Sequence, residues 1–150
     1  MLFVLLSLLS VGAEQSDVSR RDICALGQTV MVDLPSPGIA GGSFIETDPA
    51  RDDLMKLCPA LAHKLPAGYL AADGDARSRA AEHVPTEGVQ RPPALIITIA
   101  VPNIALDGRS ATVLVTTECS GLCGSGAEYR YTRTHKGWRR EGKSRIRWVS

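Results

Sequence analysis

Two groups of residues near the end of this chain have the types and spacing for chemistry. The first is Cys119-Ser120-Gly121-Leu122-Cys123-Gly124-Ser125-Gly126, a glycine-rich turn holding two cysteines. A turn of this length can bring the two Cα atoms within the roughly 4.4–6.8 Å that a disulfide needs. A redox-active pair fits less well. The spacing is CxxxC and not CxxC, and no helix follows to lower a thiol pKa. A zinc half-site would need two further ligands, and an exported chain favours oxidised cysteine. The second group is cationic. Arg139, Lys143, Arg145 and Arg147 recur at alternate positions, with Arg130 and Arg133 on the preceding strand-like run. Arginine forks match the oxygens of phosphate, sulfate and carboxylate. The competing account is an exposed sheet face or edge guarded by charge.

Other chemistry is thinly represented. The histidines are His63, His83 and His135, and no HExxH, GxSxG or phosphate-binding loop accompanies them. An enzymatic site would have to draw on His135, Tyr131 and Arg140, in a pocket lined by a sheet and covered by helices. A lone histidine there reads more simply as a solvated sheet residue. The aspartates Asp48, Asp52, Asp53, Asp73 and Asp75 lack the EF-hand spacing and read as helix caps and turns, so no metal and no cofactor is expected. Nucleic acid is a poor partner, because no aromatic residues interleave with the arginines to stack bases. An anionic small molecule or polymer is the partner that the cations suggest.

These residues need elements to hold them. Seventeen Lys and Arg against sixteen Asp and Glu give a net charge of +1, and 44% of the 150 residues are hydrophobic. That balance suits one globular domain and argues against a whole-protein polyanion binder. Residues 1–13 read as a secretory signal peptide: Leu2 to Leu9 is apolar apart from Ser7, and Val11 and Ala13 are small residues at the positions a peptidase reads. The run is too short to anchor in a bilayer, so the protein is expected to be exported, periplasmic or secreted, without a stable membrane anchor. Four cysteines remain, and the favoured pairing is Cys119–Cys123 with Cys24–Cys58.

Residues 14–93 read as a helical half with one short strand. A helix over 14–34 ends at Pro35-Ser36-Pro37-Gly38, and Ser43 to Thr47 is the strand. A second helix opens at Asp48-Pro49, and a weaker one runs from Tyr69 to Ala81. Residues 94–150 read as an antiparallel β-meander. Ala94 to Val101 is apolar on both faces, so it should be central. Asp107-Gly108 marks a hairpin turn. The last strand, Trp138 to Val149, splits Trp138, Ser144, Ile146 and Trp148 from the cations. The expected class is α+β: N-terminal helices packed on a four-stranded antiparallel β-meander, with residues 14–150 as one domain.

The stretch from Ala111 to Ser150 resembles the C-terminus of a set of uncharacterised small exported bacterial proteins. Their endings read Cys-Gly-Gly-Leu-Cys-Gly-x-Gly, then a strand, Gly-x-Trp, and a last strand closing in Trp-Ile-Ser. The counterparts here are Cys119 to Gly126, Gly137-Trp138 and Trp148-Val149-Ser150. Ser120 and Val149 replace the usual glycine and isoleucine. The spacer between Gly137 and Trp138 is missing, which shifts the hairpin register by one. The resemblance implies an exported address and supplies no activity. Helices followed by a curved antiparallel sheet are also similar to the cone-shaped nuclear-transport-factor-2-like fold. The leading expectation is a non-catalytic binding or structural module with an anionic-ligand surface on its last strands. The alternative is a small enzyme with a pocket between sheet and helices.

Overall fold

The computed structural model describes residues 18–39, 42–84, 86–121 and 123–150. The expected signal peptide lies outside them. Helix α1 (Arg20–Val32) starts at Ser19, whose hydroxyl accepts from the Asp22 N–H at 3.2 Å. That cap satisfies one of the amides a helix start leaves unpaired. Leu26, Val30 and Met31 form its buried stripe. Gly27 lies on the same stripe. A Cβ there would stand 3.0 Å from Leu61 Cδ1, so the bare backbone lets α1 settle close to its neighbours. Those neighbours are α2 (Asp53–Leu57) and a short 3-10 helix (Pro59–His63). A Cys24–Cys58 disulfide, with Cα atoms 5.6 Å apart, ties them to α1.

The second helix begins later than Asp48-Pro49. Asp48 caps a turn, accepting from the Ala50 N–H at 2.9 Å, while Asp52 caps α2 by accepting from the Met55 N–H at 3.0 Å. Both aspartates can cap, and burial decides between them. Leu54 and Met55 are buried directly after Asp52, and nothing comparable follows Asp48.

The expected fold class is corrected by the sheet. Eight strands form one curled mixed sheet: β1 (Ser43–Ile45), β2 (Leu70–Ala71), β3 (Leu95–Ile99), β4 (Asn103–Ile104), β5 (Ser110–Cys119), β6 (Ser125–Thr134), β7 (Gly137–Arg140) and β8 (Arg145–Val149). It replaces both the four-stranded antiparallel meander and the cone expected with it. The order is β2-β1-β3-β5-β6-β7, with β4 also on β5 and β8 also on β6. β1 runs parallel to β2 and to β3, and the other pairings are antiparallel. The half expected to be helical therefore supplies two strands. β2 has two residues, too few for a period to be visible. The expected helix from Tyr69 contracts to α3 (Gly74–Ala80), capped by Asp73.

The inner face of the sheet carries Ile97, Ile99, Val113, Val115, Tyr129 and Tyr131, which pack against α1, α2 and the 3-10 helix. On the outer face, Ala76 and Ala80 of α3 lie on Phe44, Ala94 and Ile96. Small side chains allow that close approach, and α3 covers the β1–β3 end and also touches β5. The outer face of β6, β7 and β8 stays open. Between β5 and β6 the Cys119–Cys123 disulfide closes a tight loop, with Cα atoms 5.9 Å apart. The loop is docked on the end of α3. Ser120 Oγ donates to the Arg79 carbonyl at 2.7 Å, and the Gly121 N–H donates to the Glu82 carbonyl at 3.1 Å. Among the described residues, no helix is long and apolar enough to cross a membrane.

Candidate anion-binding face

Strand β6 separates the two sets of candidate residues. Tyr129 and Tyr131 turn into the core, while Glu128, Arg130 and Thr132 take the outer face. The single last strand expected over Trp138–Val149 is corrected to two. β7 pairs Tyr131 with Arg140, and β8 pairs Glu128 with Arg145. Four residues on one side thus answer two on β6. Because the excess is even, Arg139 (opposite Thr132) and Arg145 (opposite Glu128) remain on the same outer face.

A second irregularity has the opposite effect. Ala127 pairs with Ile146 but Gly126 pairs with Trp148, so Arg147 is one extra residue in β8. A one-residue bulge reverses the facing of everything beyond it. Ile146 shares the inner side with Ala127, while Trp148 joins Gly126 on the outer side. The expected common face of Trp138, Ile146 and Trp148 is therefore wrong for Trp148. Trp138 itself packs against the core.

The outer face holds Arg130, Arg139 and Arg145 with Glu128, and Glu141, Lys143 and Arg147 lie beside them in the turn after β7 and in the bulge of β8. Arg147 reaches Glu128 at 3.1 Å and Arg130 reaches it at 3.9 Å. Glu141 accepts from the Thr132 hydroxyl. Arg139, Lys143 and Arg145 are exposed and have no acidic partner among the described residues. No family model, no curated protein and no solved structure matches this chain. The chemistry of the face must be read from its geometry.

Arg133, counted among the cations from the sequence, belongs elsewhere. It faces inward, pairs with Asp22 of α1 and stands 5.3 Å from the Trp138 ring centroid. The Ser19 hydroxyl first, and then Arg133, hold the Asp22 carboxyl below its usual range against the opposing effect of burial.

Of the three residues weighed as catalytic, Tyr131 and Arg140 come together and His135 stands apart. Tyr131 is fully buried, and its hydroxyl has no hydrogen-bond partner. Burial first, and then the Asp33 carboxylate, push its pKa far above the ordinary phenol value. Arg140 lies opposite it in the ladder. Its guanidinium stacks 4.0 Å from the Tyr129 ring centroid and donates to the Asp33 carbonyl at 3.2 Å. It thus places a cation on the C-terminal end of α1, where the helix dipole favours one. His135 stands in the exposed turn between β6 and β7, roughly 13 Å along the strand from Tyr131. Tyr131 is a packing group held away from solvent, and Arg140 is half-buried against it.

Proposed function

We propose that this chain is a small exported domain that binds without catalysis, taking anionic groups on the outer face of its last strands. The reading is carried by Arg139, Lys143 and Arg145, three exposed cations left without an acidic partner on or beside one open face. Glu128 is already engaged by Arg147, so Arg145, directly across the ladder, has its fork free. Two such forks can each accept a carboxylate, sulfate or phosphate in bidentate geometry. Export is supported by the apolar N-terminal run and by two cystines, which persist in oxidising compartments. The likeness of residues 111–150 to small exported bacterial proteins belongs with this proposal.

The test is salt-dependent retention on heparin and on phosphocellulose. Arg139→Ala plus Arg145→Ala should elute at clearly lower salt, because exposed charge contacts are screened. Lys56→Ala, on α2, should elute with the parent. Unchanged elution of the double variant refutes the anion face.

A further inference from the structure

Reversal by the bulge leaves Trp148 on the outer face with a row of partners. In register across the sheet the row reads Thr98, Thr116, Gly126 and Trp148. The indole lies on bare backbone. A Cβ on Gly126 would stand 2.7 Å from Trp148 Cε2, and one on Gly124 would stand 3.6 Å from its Cζ3. The ring is thus laid against the sheet and keeps 45% of its surface exposed. It walls a cavity of about 300 Å³, lined also by Thr98, Thr116, Glu118, His83 and Ser150. That volume is at the lower end for a ligand pocket.

The polar groups around the indole are of one kind. The Thr98 and Thr116 hydroxyls and the Glu118 carboxylate have no hydrogen-bond partner among the described residues. His83 Nδ1 lies 3.0 Å from the Gly121 carbonyl oxygen. A carbonyl only accepts, so Nδ1 carries the proton, and Nε2 of the neutral ring is left as an acceptor. A flat apolar ring edged by hydroxyls, a carboxylate and an imidazole acceptor matches a pyranose. The indole covers the C–H face of the sugar, and the polar groups meet its hydroxyls. Glu118 accepts from the hydroxyls of a sugar laid on the indole.

The cations begin one row away. Leu114, Glu128 and Arg145 form the adjacent row, roughly 7 Å along β6, and the Thr132–Arg139 row lies roughly 20 Å from Gly126. We propose that the outer face binds a chain of acidic polysaccharide. One sugar is seated on Trp148, and the carboxylates or sulfates of the following sugars lie on Arg145 and Arg139. The proposal rests on the anion-binding reading and narrows it to a glycan.

The two readings separate in one experiment. Trp138→Phe leaves Trp148 as the only tryptophan, and its emission is followed during titration with oligogalacturonate, a neutral malto-oligosaccharide, polyphosphate and oligothymidylate. The Trp148 indole N–H resonance of the unsubstituted protein gives the same readout if that variant folds poorly. Oligogalacturonate should shift the signal saturably, and Trp148→Ala should weaken its binding at least about tenfold. Polyphosphate should bind without moving the signal. If polyphosphate binds while Trp148→Ala leaves oligogalacturonate affinity unchanged, the glycan inference falls and the anion face stands. Equal binding of the neutral sugar refutes the role of the arginines. Tighter binding of oligothymidylate with a Trp148 shift refutes the glycan. If no polyanion binds, both readings fall.

Discussion

Removing each disulfide in turn should separate two bridges that look alike in composition but differ in what they constrain. Cys24–Cys58 spans 34 residues and Cys119–Cys123 spans 4. Loop-closure entropy then assigns about 4 kcal/mol to the long bridge and about 2 kcal/mol to the short one. Truncating the sulfurs adds a packing loss, but it is similar in the two cases, since Cys58 and Cys119 are each 2% exposed while Cys24 and Cys123 lie nearer the surface. The difference of about 2 kcal/mol should therefore survive. Cys24→Ala plus Cys58→Ala is expected to lower Tm by roughly 10–15 °C, about twice the loss for Cys119→Ala plus Cys123→Ala. The assay is thermal and urea unfolding of both double variants beside the oxidised parent, with constant m-values taken as the check on two-state behaviour. The reasoning is refuted if the short-bridge variant loses as much as the long-bridge variant, or if the long-bridge variant loses under about 1 kcal/mol. In that event the hydrogen bonds of Ser120 to Arg79 and Ala94, and not the covalent loops, would set the stability.

Gly126→Ala should push the indole of Trp148 off the sheet, since the added methyl enters the space of the ring. A loss of about 1–3 kcal/mol and a red-shifted Trp148 emission are expected, and an unshifted spectrum would contradict the outer-face placement. A second test is acid stability. Burial alone would raise the Glu46 pKa, but the Arg77 fork, at 2.6 and 2.9 Å, and the Asp48 N–H hold it below its ordinary 4.5. A depressed folded value means that the contribution is complete above that ordinary value and fades as pH falls through the folded one. Urea midpoints between about pH 3 and about pH 7 should show Glu46→Gln losing about 2 kcal/mol at neutrality, with a flatter acid limb. A parallel offset at every pH would count against the Arg77 pair.

Local signals were legible where a few neighbouring residues decide the outcome. Asp107-Gly108 makes its turn with Gly108 at φ +67°, whereas Asp73, read as lying inside a helix from Tyr69, caps one instead. Ala94 to Val101 is apolar on both faces, and β3 is buried on both: Ile97 and Ile99 on the side of α1, Ile96 on the side of α3. The cationic surplus around residues 139–147 was equally visible in the sequence, though not its layout. Arg133 was grouped with the cations because period two cannot tell which face a neighbouring strand turns outward.

By itself, the sequence determined the balance of charge, the cysteine spacings and the turns at Asp107-Gly108 and Lys136-Gly137, because each depends on chemistry within a few residues. Only the tertiary structure decided the mixed sheet. The parallel pairing of Phe44 with Leu70 and with Ile96 joins positions 26 and 52 residues apart in sequence, and nothing local marks them as partners. It also decided the face of Trp148. One unpaired residue at Arg147 reverses a strand with period two, and a bulge arises from the fit between two strands, which neither strand encodes alone.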